Sequence, residues 1–230
     1  MPRKGGLVGK VIGDILPLAV GVAISVLPTI AVILMLGTPR GRVNGLMFLV
    51  GWLAGAAVVG TIALVVANAV GVSTGEPSTA VYVIKIILGV LLLFGALRHW
   101  RARPKEGEEP SMPKWMQTID KFTGPKSMGL GALLSGVNPK NLALTIAAAA
   151  TIAQSGISIA QQAGAFIIFV AIATIGVALP LVVYFAMGAR AAEILNGWKT
   201  WLAVNNAAVM AVLFLVFAAV LIGNGITGLT

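Results

Sequence analysis

Apolar residues in this chain gather into long runs, and short connections holding charge, glycine and proline separate them. A run of about 20 apolar residues is enough to cross a bilayer, and six stretches qualify, at about 14–36, 45–70, 80–98, 129–154, 160–187 and 201–223. Each is predicted as a helix, because a backbone in lipid has to satisfy its N–H and C=O groups within its own segment. The first run follows Arg3, Lys4 and Lys10, as the apolar part of a leader would. It is too long for one and ends without a small-x-small cleavage site, so it counts as a span.

The connection at 99–127 is the longest and divides the runs into two sets of three. Met112, Trp115, Met116, Ile119 and Phe122 recur there at helical spacing, which predicts a short amphipathic helix over 111–122 lying on the inner leaflet. Pro104, Pro110 and Pro113 favour the alternative of a flexible linker. An odd number of spans per half means that any relation between the halves is an inverted one. Displacing the first half by 111 residues sets Pro28 on Pro139, Val26 on Val137 and Gly45 on Gly156. Both halves open with an apolar helix interrupted by proline, the pattern of transporters whose site lies where broken helices meet. The predicted fold is therefore all-α and polytopic, one transmembrane domain over 1–230. Repeat 1 covers about 10–98, the cytoplasmic connection 99–127 and repeat 2 about 128–225, with the first and fourth helices broken.

Composition sharpens this picture. Of the 230 residues, 58% are hydrophobic and only 10% charged, far from the roughly one quarter charged of soluble domains. The absence of cysteine excludes disulfides and thiolate metal sites, and His99 is the only histidine. No phosphate-cradling glycine loop appears, so no nucleotide cofactor is expected. The net charge of +9 would raise nucleic acid as a partner in a soluble protein. Here the cations fall mostly in the connections: Arg40 and Arg42, then Arg98, Arg101, Arg103, Lys105, Lys114, Lys121 and Lys126, then Arg190 and Lys199. The positive-inside rule places those connections in the cytoplasm and both termini outside, giving a multi-pass plasma (inner) membrane protein that does not bind nucleic acid. Trp100, Trp115, Trp198 and Trp201 gather at the same boundary, as an aromatic belt would.

Within the fourth run, "SGVNPKNLAL" is the anomaly. Lys140 lies about 11 residues into the span, roughly 17 Å along a helix, near the middle of a core about 30 Å thick. An ionisable group at that depth is a functional candidate, with inward snorkelling as the structural alternative. The acidic residues are Asp14, Glu76, Glu106, Glu108, Glu109, Asp120 and Glu193, none of them at mid-depth. Lys140 is thus either a neutral amine or a cation that meets an anionic ligand. Pro139 removes a helical hydrogen bond and frees carbonyls near Ser135, while the restarting helix offers N–H groups to an anion. Asn138 and Asn141 can each donate and accept. Pro28 with Ser25 and Thr29 forms the matching break, and Asn205 in the sixth span is a further cavity candidate. Gly51 and Gly55 are a small-xxx-small pair for helix packing, and Pro180 is expected to kink the fifth span. No nucleophile–base or carboxylate pair sits at compatible depth, so an enzyme is not expected.

"GVNPKNLALT", "LPTIAVILMLGTPRGRVNGL" and "IKIILGVLLLFGALRHWRAR" together resemble the lysine-exporter (LysE-type) superfamily. Asn138-Pro139-Lys140-Asn141, followed by an alanine-rich run and "IAQSGIS", is most similar to the mycobacterial glycopeptidolipid-addressing proteins, also called the sulfolipid-addressing or Sap family. The resemblance implies six helices in two inverted repeats and export of a cell-envelope glycolipid or another anionic, amphiphilic substrate by alternating access. Leu27-Pro28-Thr29 stands where amino-acid exporters of the superfamily carry Pro-Gly-Pro, which weakens an amino-acid substrate. The alternatives are an amino-acid or small-ion exporter and a non-transporting scaffold that assists a larger lipid transporter. Expected partners are the lipid bilayer, the substrate, a second copy of the chain as a homo-oligomer and, for the scaffold, that larger transporter.

Overall fold

A computed structural model of the chain describes residues 4–69, 79–104 and 114–229. Every regular element among them is helical: α1 (Lys4–Ala23), α2 (Val26–Leu36), α3 (Gly41–Ala69), α4 (Thr79–Arg101), α5 (Gly124–Gly136), α6 (Pro139–Gln154), α7 (Ile159–Met187) and α8 (Ala191–Thr227). Two 3₁₀ helices, Lys114–Lys121 and Gly188–Arg190, join α4 to α5 and α7 to α8. Three stretches are long and apolar enough to cross a membrane, Gly6–Ala23, Gly41–Ala69 and Ile159–Thr227. The outer faces of the second and third are apolar too: Ile62 and Val65 of α3 and Ile167 and Val182 of α7 all stand exposed. Helices apolar all round belong inside lipid.

Two helix starts differ most from the hydropathy reading. α1 begins at Lys4 rather than near residue 14, and α8 at Ala191 rather than 201, so that α8 has 37 residues. Hydropathy stops at the first polar cluster, here Glu193, Trp198 and Lys199. Intrahelical hydrogen bonding does not, and the helix continues about 55 Å in all. The predicted amphipathic α-helix over 111–122 is corrected as well. Lys114–Lys121 forms a 3₁₀ helix that packs on α2 and buries Met116 and Ile119, while residues 111–113 lie outside the described residues. Met116, Ile119 and Phe122 are three apart, and at three residues per turn they line one edge. The same letters satisfy an α-helical spacing, which is why the pattern misled.

By contacts the chain forms two compact units, one of Met1–Val72 with Pro113–Lys199, the other of Ser73–Met112 with Thr200–Thr230. In the first unit, α3 lies against α5 and α6, and α7 lies against α1 and α2. Small residues set these distances. A Cβ on Gly51 or Gly55 of α3 would overlap Met128 O or Ala132 O of α5, and one on Gly131 would overlap Phe48 O in return. The pair expected to serve helix packing does so. Gly176 of α7 is pressed against Ala23 O at the end of α1 in the same way. Phe48, Trp52 and Phe169 are completely buried in this unit. A Ser158–Gln161 capping box, a pattern written in the sequence as S-x-x-Q, starts α7, which then runs unbroken through Pro180. In the second unit, Gly89 and Gly95 of α4 meet Ile222 and Phe214 of α8.

Candidate functional site: two helix breaks that meet

The first break falls at Ile24 and Ser25, between α1 and α2. Pro28 is buried as the third residue of α2, one turn after the break rather than in it. Its position follows from the hydrogen-bond ladder: the N–H that proline lacks is the one that would have bonded Ile24 O, four residues back. Ser25 is extended at φ −95°, ψ 98° and makes no side-chain cap bond to α2. Its hydroxyl instead stands between two acceptors, Val22 O at 2.6 Å and Asn141 Oδ1 at 2.9 Å. Thr29 Oγ1 lies 2.9 Å from Ser25 O and 3.2 Å from Gly176 O, tying α2 to α7.

The second break falls at Val137 and Asn138, between α5 and α6. Pro139 is exposed at the first position of α6, where a missing N–H costs nothing. Asn138 caps the restart, its Oδ1 accepting from Lys140 N at 3.1 Å. Asn138 N turns to Leu133 O at 3.2 Å, which leaves Leu134 O without its helical donor. Asn141 Nδ2 supplies one at 2.9 Å. Ser135 was expected to serve the freed carbonyls; its hydroxyl donates to Ala132 O at 3.2 Å within its own helix, where it also meets Gly55 of α3. The helix restarts place Ser25 opposite Asn138, two residues away from the register that puts Pro28 on Pro139.

Lys140 and Asn141 join the two breaks. Lys140 Nζ donates to Gly21 O at 2.8 Å and Ile24 O at 3.2 Å. These are carbonyls that Ser25 N and Pro28 N would have taken in a continuous helix, so the ammonium closes the end of α1 and sits at the negative end of its dipole. The charge inventory had left Lys140 without an in-chain partner. No carboxylate pairs with it among the described residues, but two backbone carbonyls do. An ammonium has three donors, and two are committed here. Asn141, completely buried, connects Ser25 of the first break to Leu134 of the second.

Asn205 is described with the second unit, where its Nδ2 donates to Trp201 O at 2.8 Å on its own helix. One polar pair went unread in the sequence: Asn68 of α3 donates to Gln162 of α7 at 2.9 Å, and Gln162 is buried. The signal was available, since each is an amide inside or beside an apolar run. Asn44 is a second such amide, 1% exposed, its Nδ2 donating to Phe122 O at 3.0 Å.

A family model described as Sap, sulfolipid-1-addressing protein, matches residues 15–227. No curated protein and no solved structure matches the chain.

Proposed function

The chain belongs to the sulfolipid-1-addressing protein (Sap) family, and on that premise we propose that it moves an anionic, amphiphilic envelope lipid across the inner membrane. Six helices in two inverted repeats would work by alternating access, as in the LysE-type exporters it resembles. The observation that carries this proposal is the junction of the two breaks: a lysine ammonium of α6 seated on the opened end of α1, with one donor uncommitted. Broken helices in apolar surroundings are where transporters place their sites, and an intramembrane cation without a carboxylate partner favours a negative headgroup. The exchange of partners, with α3 on α5 and α6 and α7 on α1 and α2, supports an inverted relation, since swapping the halves maps each contact on the other. The mechanism is then competition. A headgroup anion draws Lys140 away from Gly21 O and Ile24 O, and releasing these carbonyls loosens the α1–α2 break.

One observation favours a second proposal, a scaffold that assists a larger lipid transporter. Lys140, Asn141 and Ser25 all make in-chain bonds, which suits a purely structural joint. Purified protein in liposomes separates these possibilities. Transport by this chain alone predicts movement of a fluorescent anionic lipid between leaflets faster than in protein-free vesicles. No acceleration, with the protein folded and inserted, would leave the scaffold. Uptake or release of radiolabelled lysine in place of lipid would instead point to an amino-acid exporter.

A further inference from the structure

Away from the breaks, the α4–α8 pair of the second unit carries two adjoining cavities of opposite character. One, of about 350 Å³, is walled by Leu93 and Leu97 of α4 with Val212 and Leu215 of α8. The other, of about 630 Å³, is bordered by Trp100, Arg101, Arg103 and Asn205. Trp100 borders both, so the apolar groove and the basic one lie side by side on this ring. The mouth is held in place: Arg103 stacks on the Trp100 ring at 3.4 Å from its centroid, and its Nε donates to Trp100 O at 2.9 Å. Below it, His99 meets Phe214 edge-on at 5.2 Å, fixing α4 on α8.

Charge and length decide what fits. Residues 79–104 and 200–229 contain no aspartate or glutamate, so the two arginines have no carboxylate within these segments. They sit at the C-terminal end of α4, beside an aromatic ring of the kind that marks the membrane–water boundary. From Leu93 to Arg101 the helix runs about 12 Å, close to the depth of one leaflet in a core about 30 Å thick. The groove is thus an apolar channel that ends in two arginines with no carboxylate partner among the described residues, Glu106, Glu108 and Glu109 lying outside them. An anionic lipid has both parts in that order. We propose that this groove is a binding site for one anionic phospholipid of the adjacent leaflet, its acyl chain between Leu97 and Val212 and its phosphate at Arg101 and Arg103. This inference does not rest on the broken-helix site.

Native mass spectrometry of the full-length chain, delipidated in detergent, tests it. The probes are phosphatidylglycerol, phosphatidylcholine of the same acyl chains, and free glycerol phosphate. The wild-type chain is expected to retain one phosphatidylglycerol with about tenfold preference over phosphatidylcholine, as two interfacial cations allow. Arg101→Gln with Arg103→Gln should bring the two lipids to parity. Val212→Trp fills the groove from a position that is 54% exposed, and should lose both lipids. Should that variant not fold by circular dichroism, Leu97→Trp on the facing wall, 45% exposed, makes the same test. Equal retention of the two lipids by the wild-type chain would overturn the proposal, as would phosphatidylglycerol held undiminished by the tryptophan variant. Glycerol phosphate bound as tightly as the lipid would reduce the site to a headgroup pocket. A dimer that Val212→Trp dissociates would make the groove an interface between copies.

Discussion

If the two helix breaks are joined through Asn141, cutting the joint from either side should cost the same interaction. Asn141→Ala strands the part-buried Leu134 O, at about 1–3 kcal/mol, and removes the contact with Ser25, which adds up to about 1 kcal/mol. The expected loss is about 1–4 kcal/mol. Ser25→Ala deprives Asn141 Oδ1 of its donor and Val22 O of its neighbour, for about 1–2 kcal/mol. The double variant should lose less than the sum, because each single change already destroys the shared bond. Side-chain hydrogen bonds inside membrane proteins average about 0.6 kcal/mol in such cycles and reach about 1.7. A completely buried Asn141 places this one in the upper half, near 1 kcal/mol. The assay is stepwise unfolding of the purified chain in mixed micelles by sodium dodecyl sulfate, followed by far-ultraviolet circular dichroism. Strict additivity, with coupling under about 0.3 kcal/mol, would mean that the two breaks are independent.

Three further outcomes are expected. Gly51→Val should destabilise by about 3 kcal/mol or more, since its Cβ would overlap Met128 O; Gly129→Ala in α5, with nothing within 4 Å, should not destabilise and should gain up to about 1 kcal/mol from helix propensity in the same assay. Single cysteines at Ser111 and Ser73, in this cysteine-free chain, should react with an impermeant maleimide from opposite sides, Ser111 from the cytoplasm. Asn68→Leu should lose about 1–2 kcal/mol by leaving buried Gln162 without its amide partner, and Asn68→Leu with Gln162→Leu should recover part of that loss.

How far the sequence carries depends on whether an interaction has a letter. Gly51 and Gly55 announced a close helix contact, and only the partner, α5, had to come from the structure. Pro28 and Pro139 announced two breaks. Their placement relative to the break needed the ladder, because a proline acts on the carbonyl four residues before it. Hence the first break lies at Ile24–Ser25, while Pro139 merely starts α6. The partners of Lys140 could not be read at all. A search for a counter-charge looks for aspartate and glutamate, and Gly21 O and Ile24 O are backbone atoms that every residue has. Met116, Ile119 and Phe122 fit both an α and a 3₁₀ helix, so spacing alone could not choose between them.

Whether Lys140 recognises an anionic headgroup is read from lipid movement in liposomes by Lys140→Met and Lys140→Glu at matched folded abundance. Two probes are needed, one anionic and one zwitterionic lipid with the same acyl chains. Methionine keeps the length of the lysine stem and removes its charge, and glutamate reverses the charge at the same point. The wild-type chain should move the anionic probe faster, methionine should abolish this preference, and glutamate should slow the anionic probe below methionine. A methionine variant that still moves the anionic probe at the wild-type rate, with the wild-type preference, would contradict such recognition and leave Lys140 as a helix cap alone.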